Sequence, residues 1–210
     1  MRNVLKPFET IACFSRNNLA LYFQGSSNAL NERIKRYLKN EQLLKLRNGL
    51  YTTSIYYRTE HNKTGFKEFV AAKLRFPSYI SLEYVLSKYG LLTEATYPVT
   101  SITIKTNRSY QNFLGSYVYS HIKKSLYSGF EQLSFYNNSY FIAVKAKALF
   151  DFLYLKKNLS NLKFEILEGL RINWGNFFLD DFTQFSSYVL NSNSRKMLHI
   201  MNIMKKNLYR

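Results

Sequence analysis

Cysteine, proline, tryptophan and acidic side chains are all scarce in this 210-residue chain, and each shortage narrows its class. The single cysteine, Cys13, leaves neither an intrachain disulfide framework nor a thiolate metal cluster, which suits a reducing compartment, so a cytoplasmic location is expected. Three prolines and eight glycines exclude a collagen-like or low-complexity chain. No apolar run reaches the roughly 18 residues of a membrane span. The uncharged stretch of residues 109–122 is interrupted by Ser, Asn, Gln and Gly, so no membrane partner is expected. The first residues include Arg2, Lys6 and Glu9 without the apolar block of a secretory signal, and export is not expected. Acidic residues number 13 against 30 Lys and Arg, a formal net charge of +17.

What is present is enough to fold. Apolar residues make up 46% and aromatics 17%, which supports a core and excludes a disordered tail. The length suits one or two domains, and two small ones are expected. A basic excess of this size suits a polyanion, because Lys and Arg displace the counterions condensed on phosphate backbones. The excess is nevertheless spread evenly along the chain, as a biased composition would also spread it.

Local patterns give the first sixty residues an order. Residues 3–10 suggest a short helix, with Pro7 in its first turn or bending it. Residues 14–24 read as a helix capped by Ser15, with Leu19, Leu21, Tyr22 and Phe23 as its apolar face and Gly25 as its terminator. Ser26 or Ser27 caps the next helix, whose Leu30, Ile34, Tyr37 and Leu38 form one stripe. Opposite that stripe lie Asn28, Glu32, Lys35, Arg36 and Lys39. In residues 43–51, Leu44 and Leu46 alternate with Lys45 and Arg47 before Asn48-Gly49, the signal for a type I′ hairpin. Helix, helix, polar-faced helix and basic hairpin in that order predict a winged helix-turn-helix over residues 1–60. On that reading Ser27, Asn28, Asn31 and Lys35 approach base edges of double-stranded DNA, while Arg36, Lys39, Lys45, Arg47 and Asn48 hold phosphates. The plainer alternative is a helical cap with a solvated charged face.

Residues 61–65 are the most linker-like stretch, which places a boundary near residue 60 and a second domain over 61–210. There the pattern predicts helices at 66–74 and 81–89, the latter capped by Ser81 and closed by Gly90. Strands are predicted at 101–105, 116–122 and 140–144, then a helix at 146–156, which makes the second domain mixed α/β with a helical tail and the fold class α+β. In the tail, Asn193 or Ser194 caps a helix whose Met197, Leu198, Met201, Met204 and Leu208 suit packing.

Chemistry is hard to find. His61, His121 and His199 are far apart and lack the spacing of metal ligands. Asp180-Asp181 and the Glu165, Glu168 pair are the acidic clusters that a nuclease or nucleotidyltransferase would use, but adjacent aspartates more simply mark a helix N-terminus. Cys13 has no sequence neighbour that would activate it. No catalytic residue, metal or cofactor is expected, and the chain reads as a non-enzyme.

Five segments, LKLRNGLY (44–51), AAKLRFPSYISLEYVLSKYGLL (71–92), VTSITIKTNR (99–108), GSYVYSHI (115–122) and AVKAKALFDFLYL (143–155), resemble the AbiEi-type antitoxins. The similarity covers about residues 14–157, with Pro77 to Ser81 and Gly90 its most specific part. Where such proteins have Pro-Glu before Lys-Ala-Leu, this chain has Lys145-Ala146. The resemblance implies an autorepressor of a type IV toxin–antitoxin, phage-defence-type operon, in which a winged helix binds inverted repeats in the chain's own promoter. It also implies a second domain that counters a nucleotidyltransferase-like toxin, by contact or functionally. The alternative reading is an interaction module, whose second domain binds a protein or RNA partner while the first domain does not bind DNA.

Overall fold

The computed structural model describes residues 4–93, 98–157 and 161–209, and it is a mixed α+β structure. A single 3₁₀ turn, Lys6–Phe8, with Pro7 inside it, stands where a helix over residues 3–10 is predicted; Asn3 itself lies outside the described residues. Then come β1 (Phe14–Ser15), α1 (Arg16–Leu21), α2 (Ser27–Lys39), β2 (Leu43–Arg47) and β3 (Leu50–Thr53). The three strands form a small antiparallel sheet in the order β1-β3-β2. Its core is built from Leu5, Phe8, Phe14, Leu19, Leu30, Ile34, Leu43 and Tyr51.

Ser15 and Asn18 cap α1 reciprocally, each side chain accepting from the other's backbone N–H, and Ser26 caps α2 through the Ala29 N–H at 3.2 Å. The predicted apolar face of α1 is narrower than expected. Leu19 alone is buried, while Leu21 and Tyr22 are 82% and 55% exposed. Six residues make fewer than two turns, so residues adjacent in sequence point apart rather than sharing a side. Gly25, at φ +151°, turns the chain between the helices, and a Cβ there would strike the Phe23 ring.

The hairpin is not type I′. That turn needs positive φ at both central residues, yet only Gly49 (+75°) has it, and a register shift between Lys45 and Arg47 absorbs the difference. Nor is 61–65 a linker. Asn62 accepts from the Gly65 N–H at 2.8 Å and caps the helix Lys63–Leu74, and a side chain at Gly65 would collide with that amide.

After α3 (Ser54–Thr59) and α4 (Lys63–Leu74), a larger unit forms around a six-stranded sheet. Its strands are β4 (Ser78–Ile80), β5 (Val99–Thr103), β6 (Arg108–Asn112), β7 (Gly115–His121), β8 (Phe130–Phe135) and β9 (Asn138–Ala143), in the order β6-β7-β5-β4-β9-β8. The β4–β9 and β5–β7 pairs are parallel and the rest antiparallel. The helices are α5 (Glu83–Lys88), α6 (Lys145–Leu155), α7 (Leu162–Phe164, continued by a π turn Glu165–Gly169), α8 (Leu179–Ser192) and α9 (Arg195–Leu208). Met197, Ile200 and Met204 bury α9 against α8 and α6.

One buried carboxylate ties a helix to each face of this sheet. On one face Glu68 of α4 accepts from the hydroxyls of Tyr84 and Tyr140 and from Lys88 Nζ, all within 2.8 Å. On the other, Asp151 of α6 accepts from Tyr79 (2.9 Å), Ser81 (2.8 Å) and Lys147 Nζ (2.5 Å), with the Lys147 and Asp151 side chains 1% and 0% exposed. Ser81 is therefore not the cap predicted for α5. Its hydroxyl serves the buried acid, and Leu82 at φ +63° takes the cap position. Burial pushes the Asp151 carboxyl up and the Lys147 ammonium down, and their contact with each other opposes both shifts.

Removing one partner of a buried pair strands the other charge. Asp151→Ala should cost about 3–5 kcal/mol of unfolding free energy in a denaturant titration, and Lys147→Met with Asp151→Leu should recover most of it. A loss below about 1 kcal/mol for the single change would remove this pair from the account of stability.

Candidate nucleic-acid interface

The rotation of α2 is set by Leu30 and Ile34, which are 4% and 5% exposed and packed among Leu43, Tyr51 and the aromatic rings of Phe8 and Phe14. With a step of about 100° per residue, burying those two forces Asn28, Asn31, Glu32, Lys35, Arg36 and Lys39 outward, and all six are exposed. Arg33 lies on the flank with its guanidinium 5.3 Å from the Phe23 ring centroid. Phe23, Gln24, Ala29, Arg33, Arg36 and Lys39 line an open groove of about 720 Å³ along this helix. Glu32 and Lys35 belong to the same wall, so four cations against one acid make it a strongly positive surface.

The four residues predicted to read bases are on this side but are not equally free. Arg16, the first residue of α1, donates from Nη2 to Ser27 Oγ (2.6 Å) and from Nε to Asn31 Oδ1 (2.9 Å). Lys35 pairs with Glu32 at 2.7 Å, with both side chains at least 70% exposed. An ion pair that open to water is weak and gives way readily to a phosphate. Asn28 is exposed and makes no side-chain hydrogen bond within the described residues. Of these four residues Asn28 is thus the disengaged amide, and Arg16 is a cation tethered across the two helices. Nothing in the pattern around Arg16 marks that role, because its partners are 11 and 15 residues away.

The predicted phosphate contacts divide similarly. Arg36 and Lys39 project from α2 without an ion pair among the described residues, and Lys45 is exposed on β2. Asn48 is exposed at the hairpin tip, where its carbonyl accepts from Arg47 Nη1 at 3.0 Å. Arg47 is half-buried beside the larger unit, because Leu46 and Leu50 of the same hairpin belong to the larger core.

One of the acidic clusters has structural partners. Asp181 accepts from Lys145 Nζ at 2.7 Å and from the Phe178 N–H at 2.9 Å, at the start of α8. Among the described residues no group of three or more His, Cys, Asp or Glu could hold a metal ion, and no helix is long and apolar enough to cross a membrane. No protein-family model matches the chain, and no curated protein matches it.

Cys13 is held neutral. Burial pushes its thiol up to about 11, only partly offset by Lys73 and Arg47 nearby. Because the thiolate is the reactive form, alkylation of the native protein should stay slow through pH 8 and rise with a midpoint near 11, while the denatured chain reacts near the ordinary thiol range. Native and denatured rates that agree at pH 8 would contradict the buried placement of this thiol.

Proposed function

We propose that the chain is a duplex-DNA-binding transcriptional regulator whose N-terminal unit is a winged helix, with α2 entering the major groove and the β2–β3 hairpin beside it as the wing. The observation that carries this reading is the outward face of α2. It is capped and rigid, it is fixed in rotation by Leu30 and Ile34, and it presents Arg36 and Lys39 without acidic partners. The order of elements supports it, because a short helix, a five-residue connection, a polar-faced helix and a two-stranded ribbon are the parts that place one helix in a groove and cations on flanking phosphates. Asn28 near the start of α2 suits a bidentate contact to adenine, and Arg36, Lys39 and Lys45 suit the backbone. The resemblance to AbiEi-type antitoxins supports the chain's own promoter as the site bound and a nucleotidyltransferase-like toxin as the activity opposed.

A specific feature favours a competing reading, in which this unit docks a protein: Leu21 and Tyr22 are exposed at the end of α1, close to the groove. Titrating the full chain into a fluorescent duplex of its own promoter at low salt separates the two. Tight, salt-sensitive binding supports the regulator, and absence of binding supports docking. Within the regulator reading, Arg36→Gln with Lys39→Gln should weaken binding to specific and random duplexes alike and reduce the log–log salt slope by about two units. Asn28→Ala should instead lose about 1–3 kcal/mol of discrimination at a single base pair, leaving random-sequence affinity in place. Identical losses on both duplexes for both variants would overturn the assignment.

A further inference from the structure

Arg16 connects three parts of the N-terminal unit. Its backbone N–H donates to the Gly49 carbonyl at the hairpin turn at 3.0 Å, and Ser15, paired with Leu50 across β1 and β3, caps the helix that Arg16 begins. From that anchored start the side chain crosses to α2. There Nε donates to Asn31 Oδ1 at 2.9 Å, while Nη2 donates to Ser27 Oγ at 2.6 Å and to the Ser27 carbonyl at 3.3 Å. No acid pairs with Arg16 among the described residues, so neutral oxygens of α2 engage the edge of the guanidinium that a carboxylate would otherwise take.

These bonds fix what α2 can offer to a ligand. A guanidinium carries donors and no acceptor, so the Asn31 amide meets it only through Oδ1, and the amide NH2 is turned to the other side. Ser27 Oγ likewise accepts from Nη2, which leaves the hydroxyl proton to be directed at a further acceptor. The positive charge against both oxygens opposes the approach of a second donor to either of them. Ser27 and Asn31 stand four residues apart on α2, which makes them neighbours on one face, and both are exposed. The result is two donors side by side. Asn28 differs, because its unengaged amide can present an oxygen and an NH2 together.

Base edges in the major groove separate on this property. Guanine shows two acceptors, N7 and O6, whereas adenine shows one acceptor and one donor, cytosine a donor, and thymine one acceptor beside a methyl group. A pair locked as two donors is therefore satisfied in full by guanine alone.

We propose that Arg16 is a positioning residue that holds Ser27 and Asn31 as donors, and that this pair reads a guanine in the bound duplex. The proposal rests on the reading of α2 as the helix in the major groove, and it deepens that reading by naming a base. Released from Arg16, the Asn31 amide can turn over and accept adenine as well, so Arg16 sets selectivity through the two residues it grips.

The test selects duplexes from a pool of randomised sequence with the full chain and then measures affinities on the selected sequence. Wild type should hold one position to guanine, and 7-deazaguanine there, which lacks the N7 acceptor, should weaken binding by roughly tenfold. Asn31→Ala should lose the preference at that position and become indifferent to the deaza base. Arg16→Lys keeps a positive charge without the fork, so its guanine-to-adenine affinity ratio at the same position should fall by about 5- to 30-fold, and Arg16→Ala should lower it as far. A cation that only holds a phosphate would weaken selected and random duplexes equally and leave that ratio unchanged in both variants, an outcome that overturns the proposal. A selected sequence in which no guanine responds both to the deaza base and to Asn31→Ala overturns it too. The deaza measurement uses wild type, so it decides the matter even where a variant fails to fold. Failure of wild type to bind any duplex contradicts the reading of α2 itself, whereas sequence-selective binding without such a guanine contradicts only the role given to Arg16.

Discussion

The burial of Leu30 and Ile34 decides what α2 can do. These two side chains hold one line of the helix against Leu43, Tyr51 and the aromatic floor, and helical geometry then leaves no choice about where Asn28, Arg36 and Lys39 point. A cationic face on an unpacked helix would be a solvated surface with no fixed geometry. The same face on a helix clamped along its opposite side, capped by Ser26 and tethered by Arg16, is held ready for binding, so less ordering cost falls on the binding step.

A second constraint joins the two units. Ala12, Leu46 and Leu50 lie within the first sixty residues yet belong to the larger hydrophobic core, and the Asn112 bond to Leu46 adds a polar tie. The hairpin is consequently shared. One edge of it completes the small sheet under α2, and the other leans on β6 and α4. Anything that engages the hairpin therefore acts on a surface continuous with the six-stranded sheet, whose two faces are locked by Glu68 and Asp151.

Much of the helical architecture was legible in the chain. Capped, periodic segments such as 26–39 and 194–208 carry both their start signal and their buried stripe in local sequence, and they occur close to where the pattern puts them. Strands with aromatic or β-branched alternation, such as β5 and β7, were equally visible. β6 and β8 were not, because edge strands with sequences like RSYQN and FEQLSF lack a clean apolar alternation and exist through pairing with β7 and β9. Ser81 was misread because a polar residue near a helix start satisfies the local rule, whereas its actual partner depends on burial that local sequence does not encode; residues 61–65 have the composition of a linker, yet Asn62 caps a helix there. The candidate site divides the same way. The exposed cations of α2 follow from periodicity, but the grip of Arg16 on Ser27 and Asn31 is a product of the tertiary fold.

The most direct test of the central claim is lysine-acetylation footprinting of the full chain, read by mass spectrometry with and without a duplex carrying its own promoter. A duplex lying against α2 and the hairpin should slow modification of Lys35, Lys39 and Lys45, while Lys163 and Lys205, on the far helices, react as before. Equal rates at Lys35 and Lys39 in the two conditions, under salt where the duplex is shown to be bound, would mean that DNA contacts some other surface and would contradict the role given to α2.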